Sequence, residues 1–181
     1  MSLALTVALV LGAVLVFWAI GAYNRLVVMR NDISDAWAKL AEALDQRGAA
    51  VEPLVAALRQ AMSAEHGALD TWLAAHAQAG KAASAMSVQP VTPAHTQAWA
   101  AAEGVLGGAA SRVLALMEQQ PELLQQERVA TLSAIWREGQ ARLPYARQFF
   151  NDTAQAYNEA ADLFPTRLVA RGFGFSRAGM L

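Results

Sequence analysis

VATLSAIWREGQARLPYARQFFNDTAQAYNEAADLF, residues 129–164, carries an apolar or small residue at every third or fourth position. The stripe runs Val129, Leu132, Trp136, Gly139, Leu143, Ala146, Phe150, Thr153, Tyr157, Ala160, Phe164. A helix turns about 100° per residue, so all of these fall on one face. Such regularity predicts one long bundle helix over 122–164 with coiled-coil-like packing. Pro144 is expected to kink it, because proline removes a backbone donor and crowds the preceding turn. Pro165 is expected to end it.

Three shorter stripes lie upstream. Leu26, Ile33, Trp37, Leu40 and Leu44 predict a helix over 23–46 that Gly48 stops. Val51, Val55, Leu58, Met62, Leu69 and Trp72 predict a second over 50–79, with Pro53 in its first turn, where the missing N–H is harmless. Trp99, Ala102, Leu106, Ala109, Val113 and Leu116 predict a third over 93–120, with Thr92 as N-cap and Pro93 at the first helical position. Between the second and third, AGKAASAMSVQPVTP (79–93) gathers small residues and two prolines, and reads as a flexible connector of roughly a dozen residues. Four such helices with mostly short turns predict an all-α fold: an antiparallel four-helix bundle with long helices.

Ahead of the bundle, Leu3–Ala22 (LALTVALVLGAVLVFWAIGA) contains no charged residue. About twenty residues at roughly 1.5 Å each match a hydrocarbon layer roughly 30 Å thick, so residues 1–22 read as a single transmembrane anchor. Trp18 and Tyr23 stand where an interfacial aromatic belt belongs, with Arg25 beyond. Met1-Ser2 lacks the positive charge of a cleaved leader, so the anchor reads as retained. Arg25, Arg30 and Lys39 follow the span, which places the bundle on the cytoplasmic side by the positive-inside rule. An antiparallel bundle returns residues 165–181 to the same surface. There FPTRLVARGFGFSR mixes Phe164, Phe173 and Phe175 with Arg167 and Arg171, the composition of an amphipathic tail at a lipid interface.

Hydrophobic residues make up 55% of the 181, above the roughly 45–50% of soluble domains, and the excess sits in that N-terminal stretch. A net charge of −1 supplies no basic field for nucleic acid. With no cysteine, disulfides, thiolate catalysis and cysteine zinc sites are excluded.

Several segments in order resemble the LemA family: YNRLVVMRN after the span, Ala36-Trp37, Pro53–Val55, EQQPELLQ (118–125), ARQFFNDTAQAYN (146–158) and FPTRLVARGFGF near the end. The resemblance covers the chain from the span almost to its last residue. It implies a bacterial, membrane-anchored helical bundle without established catalysis.

Side chains that carry chemistry are sparse. His66 and His76 are ten residues apart on one predicted helix and His95 lies near a loop end, a poor geometry for a metal. No phosphate-loop, nucleophile-elbow, dinucleotide or zinc-protease motif occurs. No catalytic residue, cofactor or metal site is therefore expected. Gly104, Gly107 and Gly108 read as places where another helix comes close. Glu118, Glu122 and Glu127 cluster at a helix junction and read as a solvated corner.

The asparagines are the oddity. Asn24 and Asn31 repeat at seven residues on the first helix, pointing away from its core stripe, and Asn151 and Asn158 repeat at seven on the last. In an antiparallel pair 24 would face 158 when 31 faces 151, which allows asparagine layers between the two helices. A second face built of Asn24, Val28, Asn31, Asn151 and Asn158 is the expected contact with another copy. The expectation is a self-associating, membrane-tethered scaffold without catalysis. Its partners would be membrane lipid, further copies and, as a further candidate, another membrane protein, with no nucleic acid. The alternative is a lipid-interface module using the Phe/Arg tail.

Overall fold

The structure is a computed structural model that describes residues 3–181; Met1 and Ser2, part of the expected anchor, lie outside the described residues. Seven α-helices and no strand occur among the described residues: α1 (Leu3–Gly48), α2 (Val51–Arg59), α3 (His66–Val88), α4 (Pro93–Glu118), α5 (Pro121–Leu124), α6 (Glu127–Asp162) and α7 (Thr166–Gly172). The fold is all-α, as the stripes predict.

The apolar stretch and the first bundle helix are one element. No proline interrupts α1, and its 46 residues at about 1.5 Å each extend roughly 70 Å. Its first twenty residues stand clear as an exposed arm, whereas Leu26, Ile33, Ala36, Trp37, Leu40 and Leu44 are buried at helical spacing. Gly48 ends it, but the chain does not reverse there. Trp37 meets Ser87 and Gly48 meets His76, equal steps in opposite directions along α1 and α3. The same register carries on to Arg59 and His66, where a ring nitrogen of His66 lies 2.9 Å from the Arg59 carbonyl. So α2 continues the line of α1 after a bend at Ala49-Ala50, and the reversal falls at Gln60–Glu65, within the single helix expected over 50–79. No proline marks that turn. Met62, buried at 2% exposure, leaves the helical conformation and fills the distal core there.

The expected dozen-residue connector is also mostly helix: α3 runs to Val88, leaving only Gln89–Thr92 as loop. Alanine is the best helix former, and the one glycine inside costs about 1 kcal/mol. Ala79 and Met86 are buried in the bundle and Ser84 and Ser87 return their hydroxyls to carbonyls four residues back. Thr92 occupies the N-cap position of α4 in extended conformation, but its side chain makes no capping bond. The last long helix begins at Glu127 rather than 122, because Pro121–Leu124 forms a separate turn, and it runs unbroken through Pro144 to Asp162. Its buried face takes in Ser133, Ala154 and Asn158, while Phe164 lies outside it and exposed.

Helix α6 packs chiefly on α1 and, further along, on α2; α3 and α4 form the other hairpin. Two cores result. The arm-proximal one gathers Leu26, Ile33, Trp37, Leu40, Trp99, Phe150 and Tyr157, with Trp37 edge-on to Trp99 and Phe150 at 5.5 and 6.3 Å. The distal one gathers Leu54, Leu58, Leu69, Trp72, Leu106, Val113 and Trp136, with Trp72 edge-on to Trp136 at 5.2 Å.

Between them α1 and α6 touch backbone to backbone: a Cβ placed on Gly139 would lie 2.7 Å from Cβ and 2.9 Å from Cα of Arg47. Gly104 on α4 has nothing within 4 Å of the equivalent position. One substitution type therefore has opposite signs at two sites. Gly139→Ala should lower stability by about 1–3 kcal/mol through overpacking, and Gly104→Ala should raise it by up to about 1 kcal/mol through helix propensity. Thermal or denaturant unfolding of the two variants checks this.

Candidate functional site

Three features outside ordinary packing stand out: a polar layer between the cores, an apolar collar beside the arm, and a groove on α6 that holds the end of the chain.

The polar layer centres on Arg47, only 3% exposed. Its guanidinium donates to both carboxylate oxygens of Glu103 at 2.8 Å and to Oε1 of Gln140 at 3.0 Å, and lies over the Trp136 ring at 4.9 Å. Three helices are thereby joined by a bidentate pair, the strong geometry for such an interaction. His76 completes the layer, its ring packed against Gly48. Burial, then the charge of Arg47, holds His76 below its ordinary 6.5, with Glu52 and Glu103 pulling the other way. Arg47 falls three residues after Leu44 on the same face of α1. That continuation of the apolar stripe was the available signal, and a charged residue in a last turn reads instead as solvated.

The collar lies where α7 packs against α1. Tyr23 sits edge-on to Phe173 and Phe175 at 5.1 and 5.4 Å, and Arg30 lies 5.9 Å from the Phe175 ring. Val169 and Ala170 turn inward, while Leu163, Phe164, Leu168 and Phe173 face out, Phe173 at 64% exposure. Arg167 lies over Phe164 at 5.7 Å, and Arg25, Arg167 and Arg171 are exposed around them. Of the anticipated interface residues, Trp18, Tyr23, Arg25, Phe164, Arg167, Arg171 and Phe173 thus share one end of the molecule. Phe175 is different: it is half-buried against the arm-proximal core.

The expected amphipathic tail over 165–181 divides in two, α7 and an irregular strap beyond it. Asn158 donates from Nδ2 to the Ala178 carbonyl at 3.0 Å and accepts the Ala178 N–H on Oδ1 at 2.7 Å. Asn151 does the same with Leu181, at 2.8 and 2.7 Å. Seven helical residues advance about 10.5 Å, and three residues of extended chain advance about 10 Å. The heptad spacing on α6 is therefore the spacing that grips one residue in three of a strap running the other way. Tyr157 adds a bond from its hydroxyl to the Ser176 carbonyl at 2.8 Å; burial raises its pKa above the ordinary value, so it stays a donor.

On the far side, the N–H of Gly179 reaches the Val91 carbonyl at 3.0 Å. A Cβ at Gly179 would overlap the Thr96 hydroxyl and lie 2.8 Å from Cα of Pro93. The side chains of Asn151 and Asn158 are thus engaged within the chain rather than left outward for another copy. Asn24, Val28 and Asn31 do face outward. No asparagine layer forms between α1 and α6, because their register differs by about one helical turn from the one the asparagines alone suggested.

The histidines are separated: His66 is against Arg59, His95 has a ring nitrogen 3.3 Å from the Gln89 carbonyl, and His76 is in the layer. Among the described residues no group of three or more His, Cys, Asp or Glu is placed to hold a metal ion. Gly104, Gly107 and Gly108 meet no other helix of this chain.

A model of the LemA family matches residues 36–181, from the middle of α1 through the strap. No curated protein matches the chain.

Two outcomes follow for the layer. Glu103→Ala should cost about 3–5 kcal/mol by leaving a buried charge unpaired, and the double variant Arg47→Met with Glu103→Leu should recover most of it; unfolding of the cycle measures both. The His76 contribution is fully present above the ordinary 6.5 and is lost as pH falls through the depressed folded value. Stability should therefore decline as pH falls from 6.5 toward that value and level off below it as far as His76 is concerned, with a smaller decline in His76→Gln.

Proposed function

We propose that this chain, which belongs to the LemA family, is a membrane-anchored helical scaffold that acts by self-association and has no catalysis of its own. One observation carries the anchoring: an uncharged helical arm of membrane-spanning length has none of its most apolar window covered by the rest of the chain. Helix α4 is also long and apolar, but its Trp99, Leu106, Val113 and Met117 are buried in the bundle. The arm has no such partner, and lipid is the medium that removes its surface from water.

The collar supports the same reading and sets a depth. Phe173 touches Tyr23, one residue beyond the uncharged stretch, so the outward ring of apolar residues lies level with a bilayer surface crossed by the arm. The exposed arginines beside it suit anionic headgroups, each near the surface adding about 1 kcal/mol. Basic residues after the arm favour the cytoplasmic face of a bacterial inner membrane. Lipid contact is then a way of seating the bundle rather than an alternative to the scaffold.

Self-association is supported by faces the chain does not cover. Val28 is exposed between Asn24 and Asn31, and Val105 is exposed beside the open positions at Gly104 and Gly108. The absence of catalysis is supported by how the buried polar groups are used: Arg47, Glu103 and Gln140 bond one another, and Asn151 and Asn158 bond backbone.

The test uses the intact, naturally cysteine-free chain in anionic liposomes. The protein should stay with the membrane through alkaline carbonate extraction. A nitroxide on Leu168→Cys or Phe173→Cys should be more accessible to oxygen than to a water-soluble nickel chelate, and one on Tyr145→Cys the reverse. Release into the carbonate supernatant would overturn the anchoring. A single monomer mass in mild detergent would overturn self-association.

A further inference from the structure

We propose that the asparagine ladder of α6 is a peptide-binding groove that takes residues 176–181 of a second copy of this chain, exchanged for the copy's own strap. The inference rests on the self-association reading and names the contact through which it works.

The groove reads main chain, not side chains. Each rung satisfies the N–H and the C=O of one residue with a single carboxamide, at Ala178 and again at Leu181, and Tyr157 donates to the carbonyl of a third residue, Ser176. Nothing in those five bonds depends on the strap being covalently continuous with α6. What selects the occupant is the opposite wall. Ala178 is buried between the rungs and α4, and the next residue has room for no side chain, because Thr96 and Pro93 occupy the place of a Cβ. An occupant must present a small residue followed by glycine, the small residue three positions before the second gripped residue. Every copy of the chain carries that sequence.

The strap joins α7 through a hinge and an exposed stretch. Gly174 holds a left-handed backbone conformation (φ 72°), a hinge that glycine adopts at little cost. Ser176 and Arg177 are exposed, and Arg177 pairs only with Asp162 at the surface, an interaction worth less than about 1 kcal/mol. The five residues between Gly172 and Ala178 reach about 17 Å when extended. Helices in direct contact lie about 8–10 Å apart, so a neighbour whose α6 faces this one is within reach. Beside the ladder lies an open cleft of about 530 Å³ lined by Gly104, Arg147, Asp152 and Leu181, so the exchange face is uncovered. Copies held in one membrane by their arms meet at a raised effective concentration, which favours exchange of identical segments.

The chain's lack of cysteine makes the test direct. Met180 and Gln155 are both exposed, and lie between the rungs on the strap and on α6 respectively. Full-length Met180→Cys carrying one tag and full-length Gln155→Cys carrying another are co-expressed and treated in membranes with a short bismaleimide. A crosslinked band bearing both tags is expected. It should fall at least tenfold when the Met180→Cys copy also carries Gly179→Leu, and when the Gln155→Cys copy carries Asn158→Ala. The chain with both cysteines reports on strap placement independently, and circular dichroism confirms that each variant is folded.

Three results would overturn the proposal. Efficient crosslinking within one chain with no two-tag band means the strap closes only on its own copy. No crosslinking within one chain and no two-tag band means the ladder does not hold the strap. A two-tag band indifferent to Gly179→Leu and Asn158→Ala means the copies meet elsewhere. In the first and third cases detergent mass still shows an oligomer if the scaffold reading is right, and a monomer if that reading fails too.

Discussion

The contact of Gly139 with Arg47 sets the register of α1 against α6, and most of the molecule follows from it. Because the α-carbon of Gly139 bears only hydrogens, the two helices close until backbone meets side-chain stem, and neither can slide by a turn without driving a Cβ into its partner. In that register Trp37 meets Phe150, Arg47 reaches Glu103 and Gln140, and the lower part of α6 brings α7 beside Tyr23. The arm is the unpaired continuation of α1, so its depth relative to the collar is fixed by the same contact.

A buried arginine between two apolar cores is a costly way to join helices. Desolvating the pair opposes its attraction, and an apolar layer of the same shape would often be at least as stable. What the pair adds is direction: a bidentate guanidinium accepts one carboxylate placement, and α4 carries the only glutamate that reaches it from above Trp136. Arg47 is thereby held twice, against α6 by sterics at Gly139 and against α4 by charge at Glu103. The asparagine rungs extend the pattern, since polar side chains here are placed to position backbone.

Much of this was legible in the chain itself. The stripe on α1 is buried as read, because burial forces apolar residues to recur at helical spacing, whereas on α4 Ala110 and Met117 are buried in place of Ala109 and Leu116, and on α6 Phe164 falls outside the helix. Misreadings occurred where composition and geometry diverge. Ala79–Val88 looked like a connector for want of large apolar residues, yet alanine suits a helix pressed between neighbours. The reversal at Gln60–Glu65 has no proline to mark it and depends on Met62 filling the distal core. The heptad of Asn151 and Asn158 was visible, but its partner was not: a match between two helical turns and three extended residues involves a strap 20 and 30 positions away with no periodicity of its own. Gly179 reads as a flexible tail residue until the wall of Thr96 and Pro93 is seen.

The register is best tested by nuclear Overhauser contacts in the intact chain, selectively labelled at glycine and arginine and held in micelles. The account predicts a cross-peak between the α-protons of Gly139 and the β-protons of Arg47. Absence of that peak, with Arg47 instead in contact with Ile135 one turn away, would contradict it.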